Sequence, residues 1–119
     1  MNVVDVPLVT QRKRIPQKAI DDVVRQIARK FRPQKIILFG SYARGDFRPE
    51  SDVDLLVVME TSLKPVRQEI EICQNIEYHF GLDLLVYTPA RLAERLAIGD
   101  SFIKDITREG KVLYESAGG

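Results

Sequence analysis

A single cysteine, Cys73, leaves no partner for an internal disulfide. A single histidine, His79, leaves too few nitrogen and sulfur donors for a zinc-type site. No apolar run is long enough to span a bilayer, so no membrane association is expected. The N-terminal MNVVDVPLVTQRKR has an acid inside its short apolar stretch and its basic residues afterwards. That order is wrong for a secretory leader, and a cytoplasmic protein is expected. The net charge is +1, so charge does not mark a nucleic-acid binder, and no direct, stable nucleic-acid partner is expected. Repeats and low-complexity tracts are absent as well. What is there is an ordinary globular mixture, 45% hydrophobic and 29% charged over 119 residues, enough for one domain with a modest core.

Residues 1–15 read as an N-terminal arm and 16–119 as a single domain. Ile20, Val23, Val24, Ile27 and Phe31 recur at helical spacing and predict an amphipathic helix over 16–31, opened by Pro16 and stopped by Pro33. Lys35–Phe39 is a short β-branched run between Pro33 and Gly40 and predicts a buried strand. Residues 40–51 predict a loop with one helical turn, and Asp52–Met59 a second strand. Val66, Ile70, Cys73 and Ile76 predict the apolar stripe of a helix over 65–80, capped by Gly81. Leu82–Tyr87 predicts a third strand. Thr88-Pro89 and Asp100-Ser101 open two further helices, ending near Ala97 and Gly110, and Val112–Tyr114 suits a small edge strand. The first two strands have no crossover helix between them, which predicts antiparallel neighbours and an α+β fold.

Asp52 and Asp54 lie two apart in a strand, so both point to one face while Val53 points to the other. Paired carboxylates repel, and are tolerable when solvated or when a divalent cation lies between them. Such a pair alone is most often a solvated strand entrance. Gly40-Ser41, at the end of the preceding strand, permits a close backbone approach and can aim N–H groups and a hydroxyl at an anion. Arg44 falls on the same side of a helical turn as Ser41, facing either a phosphate or the nearby Asp46 and Glu50. Asp83 interrupts an apolar strand and requires a partner or an open strand end. Three convergent acids beside a phosphate-cradling turn are what two-metal phosphoryl chemistry requires.

Gly40-Ser41-Tyr42-Ala43-Arg44-Gly45, followed by Ser51-Asp52-Val53-Asp54-Leu55, resembles the signature of the nucleotidyltransferase superfamily. In its fuller form it is similar to the minimal nucleotidyltransferases (MNT) of prokaryotes. The resemblance covers about residues 35–87. It implies a DNA-polymerase-β-like fold with a small mixed sheet packed with helices. It implies that Gly40 and Ser41 bind the triphosphate of ATP, that Asp52 and Asp54 bind Mg²⁺ (two ions), and that Asp83 is the third metal carboxylate. Arg44 matches the arginine of the minimal group, a nucleotide contact. The MntA-like antitoxins of this group transfer AMP from ATP to a tyrosine of a HEPN-domain toxin, many of which are RNases. The implied function is therefore AMPylation of such a partner. A non-catalytic antitoxin that acts by binding, and a transferase for an aminoglycoside or an RNA end, stay open, as does a homo-oligomer.

Four further features have simpler readings. His79 suits a surface position and Cys73 core packing. Arg12-Lys13-Arg14 reads as a solvated arm. Tyr42, Phe47 and Tyr87 are expected near the site, as packing or as a surface for a base.

Overall fold

In the computed structural model, which describes residues 14–117, Ile20, Val23, Val24 and Ile27 form the buried face of helix α1 (Gln17–Phe31). Pro16 stands just outside it, its carbonyl accepting from the Ala19 and Ile20 amides. Arg32 ends the helix in the left-handed region (φ 49°), since Pro33 disfavours a further helical residue. Then follow β1 (Lys35–Phe39), the single turn α2 (Ser41–Arg44), β2 (Val53–Val58), α3 (Pro65–Gln74), β3 (Leu82–Tyr87), α4 (Pro89–Ala97), α5 (Ser101–Glu109) and β4 (Lys111–Glu115). The sheet order is β3-β2-β1-β4. β1 is antiparallel to both β2 and β4, while β2 and β3 run parallel across the α3 connection, so the sheet is mixed and the fold is α+β.

Strand alternation divides the core. Ile36, Leu38, Val53, Leu55, Val57, Leu84 and Val86 face α1 and pack with Ile20, Ile27 and Ile72. Ile37, Leu56 and Val58 point the other way, onto Ile103 and Ile106 of α5. Asp54 and Asp83 belong to this second face by their place in the alternation. Among the described residues no helix is long and apolar enough to cross a membrane.

Helix α3 departs from its sequence expectation in length and in rotation. It ends at Gln74 rather than at 80. Gln26 of α1 acts as a surrogate strand for the segment that follows, its Nε2 donating to the Glu77 carbonyl and its Oε1 accepting from the Glu77 amide, both at 2.8 Å. Lys30 Nζ donates to the Asn75 carbonyl. These contacts hold residues 75–77 outside the helix. The expected stripe is also turned outward, with Val66 65% and Ile70 48% exposed, while Gln68 and Ile72 are buried. Cys73 still packs partly against the core, and Ile76 is buried beyond the helix end. Polar bonds set the rotation. Gln68 Oε1 accepts from the Thr61 hydroxyl, and Glu69 accepts from the Val86 amide on the open edge of β3. Gln26→Ala is expected to lower stability by about 1 kcal/mol, read as a lower urea midpoint at constant slope.

Candidate active site

The register of the sheet assembles the acids. Asp54 is paired with Asp83 across the parallel strands β2 and β3, which places the two Cα atoms about 4.8 Å apart on one face. Asp52 lies just before β2, where the Val53 amide donates to the Gly81 carbonyl. Asp54 is half-buried, whereas Asp52 and Asp83 are exposed.

Two glycines make room for two of these carboxylates. Gly40, at φ 74°, lies so close to Asp54 that a Cβ there would overlap Oδ2. Gly81 lies so close to Asp52 that a Cβ would overlap its Oδ1. Gly81 was expected as a helix cap. Because α3 stops at Gln74, its role is instead this close approach. Nothing local in the sequence distinguishes the two roles of such a glycine.

The turn after Gly40 is the one-turn helix α2, closed by Gly45, whose amide donates to the Ser41 carbonyl. The Ser41 and Tyr42 amides donate to no backbone carbonyl among the described residues, as expected of a first helical turn. Arg44 is exposed, and its Nε donates to Asp46 Oδ2 at 3.2 Å, the protein-side partner anticipated for it. Its charge also reaches Asp54. The Asp54 carboxyl is pushed up to about 6, first by burial, then by repulsion from Asp83 and Asp52, with Arg44 pulling the other way.

The donor set suits a hard cation, since every group is a carboxylate oxygen. Their mutual repulsion is what a divalent ion would relieve. As the side chains stand, no three His, Cys, Asp or Glu groups among the described residues already close into a cage.

The aromatic residues divide. Tyr42 is buried, its hydroxyl accepts from the Ile15 amide, and its ring stacks on Phe47 at 4.7 Å with Arg14 above Phe47. Both rings are packing that anchors α2. Tyr87 is not near the site. It lies four residues along β3 from Asp83, about 13 Å away, beneath the Arg91 guanidinium. His79 is exposed in the segment after α3, as a surface position requires, and Arg12 and Lys13 lie outside the described residues.

Known proteins share this plan. The family model described as "Nucleotidyltransferase domain" matches residues 20–114. MJ0604 of Methanocaldococcus jannaschii, which bears the name of a protein adenylyltransferase, is 36% identical over 100 residues, 82% of this chain and 97% of its own. A crystal structure from Sulfolobus solfataricus, named as a nucleotidyltransferase, superposes with a TM-score of 0.59 at 19% identity, covering 86% of this chain and 82% of that one. A toxin–antitoxin structure with AMP-PNP superposes with a TM-score of 0.52 at 20% identity, covering 82% and 75%. These structural likenesses concern the fold, while the family match and the relative's identity extend over most of the sequence. With the family model matched over residues 20–114 and MJ0604 36% identical over 82% of it, the chain belongs to the nucleotidyltransferase domain family.

Proposed function

We propose that the chain is a Mg²⁺-dependent protein adenylyltransferase that moves AMP from ATP to a tyrosine hydroxyl of a partner HEPN-domain toxin and thereby acts as its antitoxin. One observation carries the reading: Asp54 stands in register with Asp83 and against the Gly40 turn, so the acids and the anion-facing turn share one end of the sheet. The name of MJ0604 supports protein as the acceptor, and the AMP-PNP complex of a toxin–antitoxin neighbour supports an adenine nucleotide and a toxin partner.

In this reading the Ser41 and Tyr42 amides and the Ser41 hydroxyl hold the polyphosphate, and Arg44 exchanges Asp46 for a phosphate oxygen. Asp52, Asp54 and Asp83 would hold Mg²⁺, which when bound neutralises the charge that develops on the phosphoryl oxygens. The acceptor oxygen bonds to the α-phosphorus. The bond from that phosphorus to the bridging oxygen breaks, and pyrophosphate leaves with the electron pair. One of the two exposed acids, Asp52 or Asp83, takes the hydroxyl proton and passes it to water.

The test is incubation with ATP labelled at the α-phosphate, Mg²⁺ and a purified HEPN-domain toxin. The label is expected on one tyrosine, and a Tyr→Phe change there is expected to abolish it. Protection of cells by a chain that transfers no label would instead favour neutralisation by binding alone.

A further inference from the structure

We infer that the acceptor enters through the cleft between α1, residues 49–52 and residues 77–81, and that it is a polypeptide segment carrying positive charge around its hydroxyl. The inference deepens the proposed function and rests on its placement of the polyphosphate at Gly40-Ser41. In phosphoryl transfer the attacking and leaving oxygens lie roughly in line through phosphorus. With pyrophosphate leaving on the β1 side, beside Gly40, the acceptor must arrive from the β3 side. On that side Gly81 abuts Asp52, and a cleft of about 950 Å³ opens there. It is bounded by Ser51, Asp52 and Gly81 and contains none of Gly40, Ser41, Arg44, Asp54 and Asp83, so an acceptor seated there meets the acids at Asp52.

The lining describes the occupant. Pro49, Tyr78 and Phe80 offer apolar walls against which an aromatic side chain could lie. The volume is at the upper end of what holds a whole drug-sized molecule, so one side chain leaves room for its neighbours in sequence. Charge on the walls is acidic. Glu50 and Glu77 are exposed and are in no ion pair among the described residues. Asp22 already faces Arg25 and Gln26, and Arg14, held over Phe47, keeps its positive charge but is outnumbered by the acids of the lining. Two uncompensated carboxylates beside Asp52 favour a cationic segment and disfavour a polyanion such as an RNA end.

The experiment measures binding rather than transfer, so its failure is separate from failure of the adenylyltransferase reading. The full chain is loaded with Mg²⁺ and α,β-methylene ATP. Two fluorescein-labelled ten-residue peptides, each with a central tyrosine flanked by lysines or by glutamates, are titrated by anisotropy. The lysine peptide is expected to bind at least about tenfold more tightly. Glu50→Lys/Glu77→Lys is expected to remove that preference, and the neutral Glu50→Gln and Glu77→Gln to reduce it in part. Glu94→Lys/Glu109→Lys changes the net charge equally at exposed sites outside the cleft and is expected to preserve it. Equal binding of the two peptides overturns the inference, as does a preference that survives Glu50→Lys/Glu77→Lys or disappears equally in the control. Tighter binding of kanamycin or of a short RNA, lost in Glu50→Lys/Glu77→Lys, assigns the cleft to that ligand and overturns it too. A lysine preference that behaves as expected in a chain that never transfers AMP upholds the cleft as a site for a cationic peptide and removes the adenylyltransferase reading.

Discussion

Asp54→Asn is expected to lower AMP transfer by about 10³-fold while making the Mg²⁺-free protein more stable at pH 8. The two effects have one cause. Asp54 is the acid placed deepest, half-buried, in register with Asp83 and against the Gly40 turn. Losing its charge removes several kcal/mol of stabilisation from the phosphoryl-transfer step, and about 4 kcal/mol is about 10³-fold. The same charge opposes folding when no cation balances it. Its carboxyl rises from 3.8 to about 6 in the fold, chiefly through burial and then through repulsion by Asp83 and Asp52. A raised carboxyl binds its proton more tightly in the native than in the unfolded chain. Above about pH 6 the ionised group is therefore a full penalty on the fold, and the penalty is relieved as the pH falls from about 6 towards 3.8. Asparagine removes it. With solvent screening of a half-exposed group allowed for, the gain at pH 8 is about 1 kcal/mol. Urea midpoints in EDTA check this: Asp54→Asn should lie above wild type at pH 8, and the difference should shrink at pH 5. Adding Mg²⁺ should raise wild type and leave Asp54→Asn nearly unmoved. Full transfer activity in Asp54→Asn, or a midpoint below wild type at pH 8, would remove Asp54 from the proposed metal site.

Much of this arrangement was legible because its signals are local. The antiparallel pairing of β1 with β2 follows from the absence of a crossover helix between them, and both later helices begin where capping residues announce them. Thr88 accepts from the Arg91 amide, and Asp100 accepts from the Phe102 and Ile103 amides. Asp52 and Asp54 share a face for reasons visible in two adjacent residues. Asp83 is different, since nothing in LDLLVY says which residue of β2 it will face. That is decided by the parallel register across the α3 connection. The rotation of α3 was hidden because apolar periodicity weighs Val66 and Ile70 and gives no weight to Gln68 and Glu69, whose hydrogen bonds to Thr61 and to the β3 edge turn the helix. Its early end was hidden for a related reason. The groups that stop it, Gln26 and Lys30, are about fifty residues away in sequence. Tyr87 was legible as remote, since four extended residues separate it from Asp83 by about 13 Å within β3.

Gly81→Ala is expected to lower transfer by about 10²-fold at nearly unchanged stability, and Gly40→Ala to lower both. The contrast follows from backbone conformation. A methyl group at either position overlaps a carboxylate, Asp52 at Gly81 and Asp54 at Gly40. Asp52 is exposed, so it can swing away at little cost to the fold, but it then leaves its place by about 1 Å or more. A displacement of that size at a reacting centre is worth about 10²-fold. Gly40 also adopts φ 74° with ψ −155°, a region essentially reserved for glycine that costs an alanine about 1–3 kcal/mol before any collision is counted. Gly40→Ala should therefore lose stability by at least that amount, and the Ser41 turn should shift with it. Thermal unfolding beside AMP-transfer rates separates the two cases. The Gly81 variant should melt within about 2 °C of wild type, and the Gly40 variant several degrees lower. If Gly81→Ala transfers AMP at the wild-type rate, the position of Asp52 over Gly81 does not matter to the chemistry. The acid held against Gly40 would then have to be sufficient without it.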